Sequence, residues 1–155
     1  MIPVTSDVKL DDKDRKLIDL LRHDGRLSYR QLAAKAELSV LTVMKRVKAL
    51  EAGHVITGYH ATVDAEKLGL DVHAIIEVKI AKGKLFEVER RVASEPAVYA
   101  VFDHTGQFDT TLLARFKGTR DLDRFLKRLQ TFDFVERTET KLVLNTIKLG
   151  DERLW

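Results

Sequence analysis

Three cations, Lys45, Arg46 and Lys48, crowd one stretch of helical period, residues 40–52. They fall off the apolar stripe of Val43, Val47 and Leu50, which repeats at i, i+4 and i+7. Positive side chains on the exposed side of one helix suit contact with phosphates. Thr42 and Met44 lie in the same stretch, and a hydroxyl and a thioether there can meet base edges and thymine methyl groups. Met44 reads equally well as packing against a neighbouring helix. Ser39 precedes this helix and Ser28 precedes a shorter one, about residues 29–35. Each serine is placed to cap a helix whose positive end tolerates a phosphate nearby. Arg46 has a second reading, as a salt bridge that holds its helix in place.

The charge distribution supports contact with a polyanion. Residues 26–50 hold six Lys or Arg against the single acid Glu37, whereas residues 61–155 hold sixteen bases and sixteen acids. The net charge of +3 therefore resides in the first sixty residues.

The elements that must position these groups follow from periodicity. Residues 1–9 read as a tail. A first helix begins near Asp11, buries Leu17, Ile18, Leu20 and Leu21, and carries Asp11, Asp12 and Asp14 at its positive end. Gly25 is expected to end it in a left-handed cap. Leu32 and Ala33 face inward from the second helix, and Ala33, Ala34 and Ala36 permit a tight turn to the third. Helix, turn and basic helix form a helix-turn-helix, winged-helix-like pattern, expected over residues 1–58. Residues 55–63 alternate and are rich in β-branched types, so they read as a strand, with a connector through residues 59–71.

Residues 72–155 alternate strand and helix patterns: strand 72–80, helix 85–93, strands 98–105 and 108–116, helix 122–129, strand 135–147. This α+β order, βαββαβ, is ferredoxin-like. Ile75 beside Ile76 and Leu113 beside Leu112 put apolar residues on both faces of the sheet, which calls for a second copy as cover.

With these motifs in order, the chain resembles the Lrp/AsnC, or feast/famine, regulators over residues 10–148. The likeness rests on LDDKDRKLIDLLRHDGRLS, on QLA, and on Ser39, Val43, Arg46, Val47 and Leu50. It continues through Ile56, Gly58 and Tyr59, through VDAEKLG, through Pro96 to Tyr99, and through Gly106, Gln107, Phe108 and Asp109. The resemblance implies a regulator that binds double-stranded DNA at a roughly palindromic operator. It implies a second domain that dimerises, often stacks into octamers, and senses an amino acid or related metabolite. The effector would meet backbone N–H groups at Gly106 and Gln107, with Phe108 in the same loop and Asp109 accepting an ammonium group; the same loop also reads as an ordinary hairpin turn. Three positions depart from the family: His54 stands where a glycine usually follows the third helix, Ala65 replaces a proline, and Phe134 replaces a glycine near the effector site and would narrow it.

Other chemistries find little support. With no cysteine, thiolate sites and disulfides are excluded. The five histidines, His23, His54, His60, His73 and His104, form no metal-ligand spacing, and His104, two residues from the effector loop, reads as a packed or hydrogen-bonded side chain. No metal or cofactor is expected. Of the four serines, Ser6, Ser28, Ser39 and Ser94, two read as caps and none has a patterned base, so an enzyme on the ferredoxin-like scaffold is disfavoured. All seven phenylalanines fall after residue 85 without the spacing of an RNA-stacking sheet, so they read as core and interface. No membrane span or export signal stands out, and a cytoplasmic location is expected. One Asn and three Gln beside 33% charged residues lean towards a thermophilic source. An effector-independent architectural DNA-binding protein shares every feature of the first sixty residues.

Overall fold

A computed structural model describes residues 9–150. Residues 1–8 of the expected tail, Ser6 among them, lie outside the described residues. The chain divides into two compact units, with a boundary between Thr62 and Val63; the second unit ends at Ile147.

The first unit holds α1 (Asp12–His23), α2 (Tyr29–Ala36) and α3 (Val40–Ala52). Asp11 and Asp14 start α1 with a reciprocal capping box. The Asp11 carboxylate accepts the Asp14 N–H at 2.9 Å, and the Asp14 carboxylate accepts the Asp11 N–H at 3.2 Å. Ser28 and Gln31 repeat the arrangement at α2, and Ser39 caps α3 by accepting the Thr42 N–H at 3.1 Å. Leu17, Leu21, Leu32, Ala33, Ala36, Val43 and Val47 close one core between the three helices. Ala34 stays exposed; the small residues that permit close approach are Ala33 and Ala36.

Two expectations are corrected here. Gly25 is not left-handed: α1 ends at Asp24 in an extended conformation. The left-handed positions are Glu37, at φ +59°, which caps α2, and His54, at φ +54°, one residue past the Gly53 cap of α3. A side chain with a Cβ costs about 1–2 kcal/mol there, and His54 is exposed, so burial of its ring offsets little of that. His54→Gly is therefore expected to raise stability, by about 0.5–1 kcal/mol once glycine's freedom in the unfolded chain is counted. A thermal melt of the variant measures it, and an unchanged or lower midpoint would contradict the strain.

Residues 55–63 form no strand. The N–H groups of Val55 and Ile56 turn back to the Leu50 carbonyl, at 2.9 and 3.1 Å, and satisfy the end of α3. The rest of the segment has β-type side chains but no neighbouring strand among the described residues, and a ladder needs two. Tyr59 is anchored within this unit, its hydroxyl donating to Glu51 at 2.9 Å, and burial with that bond pushes its pKa up to about 12.

The second unit is βαββαβ: β1 (Val72–Ile80), α4 (Leu85–Ala93), β2 (Val98–Asp103), β3 (Thr110–Phe116), α5 (Thr119–Gln130), β4 (Val135–Leu142). The antiparallel sheet has the order β2-β3-β1-β4. The last strand ends at Leu142 rather than at residue 147. One face is the core: Ala74, Ile76, Val78, Leu112 and Ala114 are fully buried beneath Val88, Val92, Leu122, Phe125 and Leu129 of the helices. Burying such side chains is the dominant favourable term in folding. The other face pairs half-buried Ile75 with Leu113 and adds Tyr99, Ala100 and Phe102 from the edge strand. It also carries Glu77 with Lys141 as an ion pair, and His73, whose Nε2 bonds the Tyr99 hydroxyl at 2.5 Å. The open face is thus mixed, not wholly apolar.

Of the phenylalanines, Phe108, Phe116, Phe125 and Phe132 are buried, while Phe86, Phe102 and Phe134 are exposed. Among the described residues, no helix is long and apolar enough to cross a membrane, and no cluster of His, Cys, Asp or Glu is set to hold a metal.

Candidate nucleic-acid interface and effector loop

Helix α3 presents two kinds of cation. Lys45 and Lys48 are exposed and, with Arg30 and Lys35 on α2, have no acidic partner among the described residues. Arg46 is engaged: its Nη1 donates to Asp11 at 2.9 Å and to Asp14 at 2.8 Å. The same two carboxylates start α1, so one guanidinium ties the beginning of α1 to the middle of α3. The backbone N–H of Asp14, then the Arg46 guanidinium, hold the Asp11 carboxyl below the ordinary value, and the Arg46 pKa is raised in turn, first by Asp14. Of the two sequence readings of Arg46, the geometry favours the tie over the phosphate contact.

The capping residues are similarly occupied. The Ser28 hydroxyl donates to the Gln31 side chain at 2.8 Å, and the Ser39 and Thr42 hydroxyls bond each other at 2.8 Å. Thr42 is half-buried and lines a cleft of about 450 Å³ that Asp14 and Leu50 also line, and Met44 is half-buried too. Ser28, Ser39 and Thr42 therefore build the helix starts, where the remaining backbone N–H groups are open to phosphates. Sequence reasoning missed Val40 and Leu41, which are 44% and 57% exposed at the first turn of α3. For Leu41 the exposure could have been read from its distance in helical phase from Val43, Val47 and Leu50; Val40 shares their phase, at i−3 and i−7, so the period gave no such signal there.

These roles separate by salt dependence. Arg46→Gln is expected to lower the melting temperature and weaken DNA binding, yet to leave the slope of log K against log salt unchanged. A lost phosphate contact would flatten that slope by about one unit. Titrations at several salt concentrations make the comparison.

At the effector loop, Gly106 has φ +137° and open space where a Cβ would stand, and Gln107 is exposed. Phe108 points into the protein, 5% exposed, with the Arg137 guanidinium 5.6 Å from its ring centre. Asp109 is committed internally: its carboxylate accepts the Ile80 N–H at 2.8 Å and the Lys79 ammonium at 3.0 Å. These bonds, the backbone one first, hold its carboxyl below the usual 3.8. The charge that would meet an effector's ammonium group is thus already met by Lys79. His104 is hydrogen-bonded, its Nε2 to the Thr111 hydroxyl at 2.7 Å. Phe134 takes φ +77°, the conformation a glycine adopts without cost, and its ring lies 4.2 Å from the Lys84 ammonium. Its carbonyl accepts the Ala81 N–H at 2.8 Å, which fixes the turn into β4.

A depressed folded pKa means that Asp109 stabilises the protein above its unfolded pKa, and that this is lost as pH falls through the folded one. Asp109→Asn keeps an acceptor for Ile80 and removes the charge. The variant is expected to melt below wild type at neutral pH, with the gap closing as pH is taken below 3.8. Melts across that range test it; a gap independent of pH would remove the electrostatic account.

Comparison with known proteins places both units. The AsnC-type helix-turn-helix domain matches residues 10–51, and the Lrp/AsnC ligand binding domain matches residues 73–152. An uncharacterised HTH-type transcriptional regulator of Pyrococcus furiosus is 40% identical over 141 residues, covering 91% of this chain and 95% of its own. The compositional lean towards a thermophilic source agrees with that relative. A transcriptional regulator of Neisseria meningitidis, solved with L-methionine, superposes with a TM-score of 0.86 at 28% identity, over 93% of this chain and 96% of its own. A feast or famine regulatory protein of Mycobacterium tuberculosis, also with L-methionine, gives 0.84 at 32% identity, over 90% and 95%. These relatives are regulators, not enzymes, and the chain belongs to the Lrp/AsnC family of transcriptional regulators.

Proposed function

We propose that the chain acts in the cytoplasm as a sequence-specific regulator that binds duplex DNA through α3 as a homo-oligomer. The observation that carries this is the exposed, unpaired pair Lys45 and Lys48 on a helix whose neighbouring Arg46 is locked to α1. Free cations on a fixed helix meet phosphates with little ordering cost. A dimer would offer two α3 helices to half-sites about one helical turn apart, and hence a roughly palindromic operator. The open sheet face, with Ile75, Leu113, Tyr99 and Phe102, is the surface a second copy would cover, and stacking of dimers into an octamer would extend that assembly.

Relatives solved with L-methionine support an amino acid or related metabolite as effector. Because Asp109 is paired with Lys79, contact at the loop would fall to the backbone of Gly106 and Gln107 and to residues of a second copy. The same pairing favours a second reading, an architectural DNA-binding protein that needs no effector. Selection of bound duplexes from a random pool, repeated with each amino acid added, tests the proposal. Enrichment of a palindromic site whose recovery changes with one amino acid supports it. Enrichment indifferent to every amino acid favours regulation without such an effector. Uniform recovery of the pool favours the architectural protein.

A further inference from the structure

Leu41, Lys45 and Lys48 stand at i, i+4 and i+7 of α3, and all three are exposed. They form one stripe, set away from the buried stripe of Val43, Val47 and Leu50. Its body is cationic. Its tip, at the helix N-terminus, is a leucine 57% exposed, with Val40 beside it 44% exposed. Two large aliphatic side chains left in water at the end of a basic helix are a cost in the free protein.

The hydroxyls at this tip are engaged at the helix start: Ser39 and Thr42 bond each other, and Ser39 also caps the helix. The side chains of the first turn with no hydrogen bond of their own are the aliphatic Val40 and Leu41. A recognition helix meets bases with its N-terminal residues. In the major groove, one base group attracts an aliphatic side chain, the C5-methyl of thymine. Charge decides the occupant: Lys45 and Lys48, one and two turns along the same stripe, would lie over a polyanion and not over an apolar protein surface.

Resting on the regulator reading above, we infer that Leu41, with Val40 beside it, selects operators by apolar contact with thymine methyl groups. Lys45 and Lys48 hold the register through phosphates. Base choice at the tip of α3 is thus made by hydrophobic burial.

The test uses the full chain and duplexes enriched from a random pool. Each thymidine of an enriched half-site is replaced in turn by deoxyuridine, which removes the methyl group and keeps the pairing. One or two replacements should weaken wild-type binding about fourfold each, the loss for one methyl-sized group left unburied. Leu41→Ala should bind the thymidine and deoxyuridine duplexes alike at one of those positions, and Leu41→Met should keep the discrimination. Circular dichroism establishes that both variants fold. An enriched site in which every deoxyuridine is tolerated overturns the inference and leaves the regulator reading intact. Discrimination that survives in Leu41→Ala also overturns it, by assigning the methyl contact elsewhere. A pool that returns unenriched overturns both.

Discussion

Leu17→Ala is expected to cost the first unit about 3 kcal/mol, within the range for a buried leucine cut to alanine. Leu17 is fully buried, and its cluster spans all three helices through Leu32, Val43 and Val47. Two members of that cluster, Ala33 and Ala36, are already minimal and cannot move in to fill a void. A small three-helix unit has only a few kcal/mol of stability to lose. The expected result is therefore loss of the helical signal of α1–α3 and of DNA binding at moderate temperature. The sheet of the second unit has its own core, built on Ile76, Val78 and Leu112, and should persist. Thermal circular dichroism beside a DNA titration measures both. A variant that binds DNA with wild-type affinity at the wild-type melting temperature would contradict the packing.

The second large effect is on binding. Lys45→Ala with Lys48→Ala removes two exposed cations that have no acidic partner among the described residues. Fold stability should stay within about 0.5 kcal/mol of wild type, as for surface changes away from special features. If each lysine releases one phosphate-bound counterion, the slope of log K against log salt flattens by about two units. Affinity at low salt should fall roughly tenfold or more, since charge-assisted bonds are worth about 1.5–3 kcal/mol each. Gel-shift titrations at several salt concentrations decide it. An unchanged slope would take the groove-facing role away from this stripe.

Local signals carried most of the architecture into the sequence. The caps at Ser28 and Ser39 and the period of Val43, Val47 and Leu50 depend on neighbours within a few residues, and the structure places them as expected. The helix over 85–93 and the βαββαβ order were legible for the same reason. What the sequence left open depended on distant partners. Arg46 meets Asp11 and Asp14 across 35 and 32 residues, so its spacing on α3 could not separate the tie from a phosphate contact. Asp109 meets Lys79 across 30 residues, which changed its meaning from a free charge to a spent one. Residues 55–63 have the side chains of a strand, yet a ladder depends on a partner that composition does not supply. In the first unit the left-handed positions fell at Glu37 and His54 rather than at Gly25, because the path of the chain, not the residue type, sets where φ turns positive.

The capping box of α1 has a consequence for local opening. Fraying of the first turn breaks the Asp14 N–H bond to Asp11 and loosens the carboxylates that hold Arg46. Fraying of the first turn of α1 and release of Arg46 on α3 are thus coupled through the same two carboxylates. A duplex that engages only the docked helix lowers the population of the frayed state by mass action. The amide of Asp14, remote in sequence from α3, then becomes a reporter of operator binding through slowed hydrogen exchange.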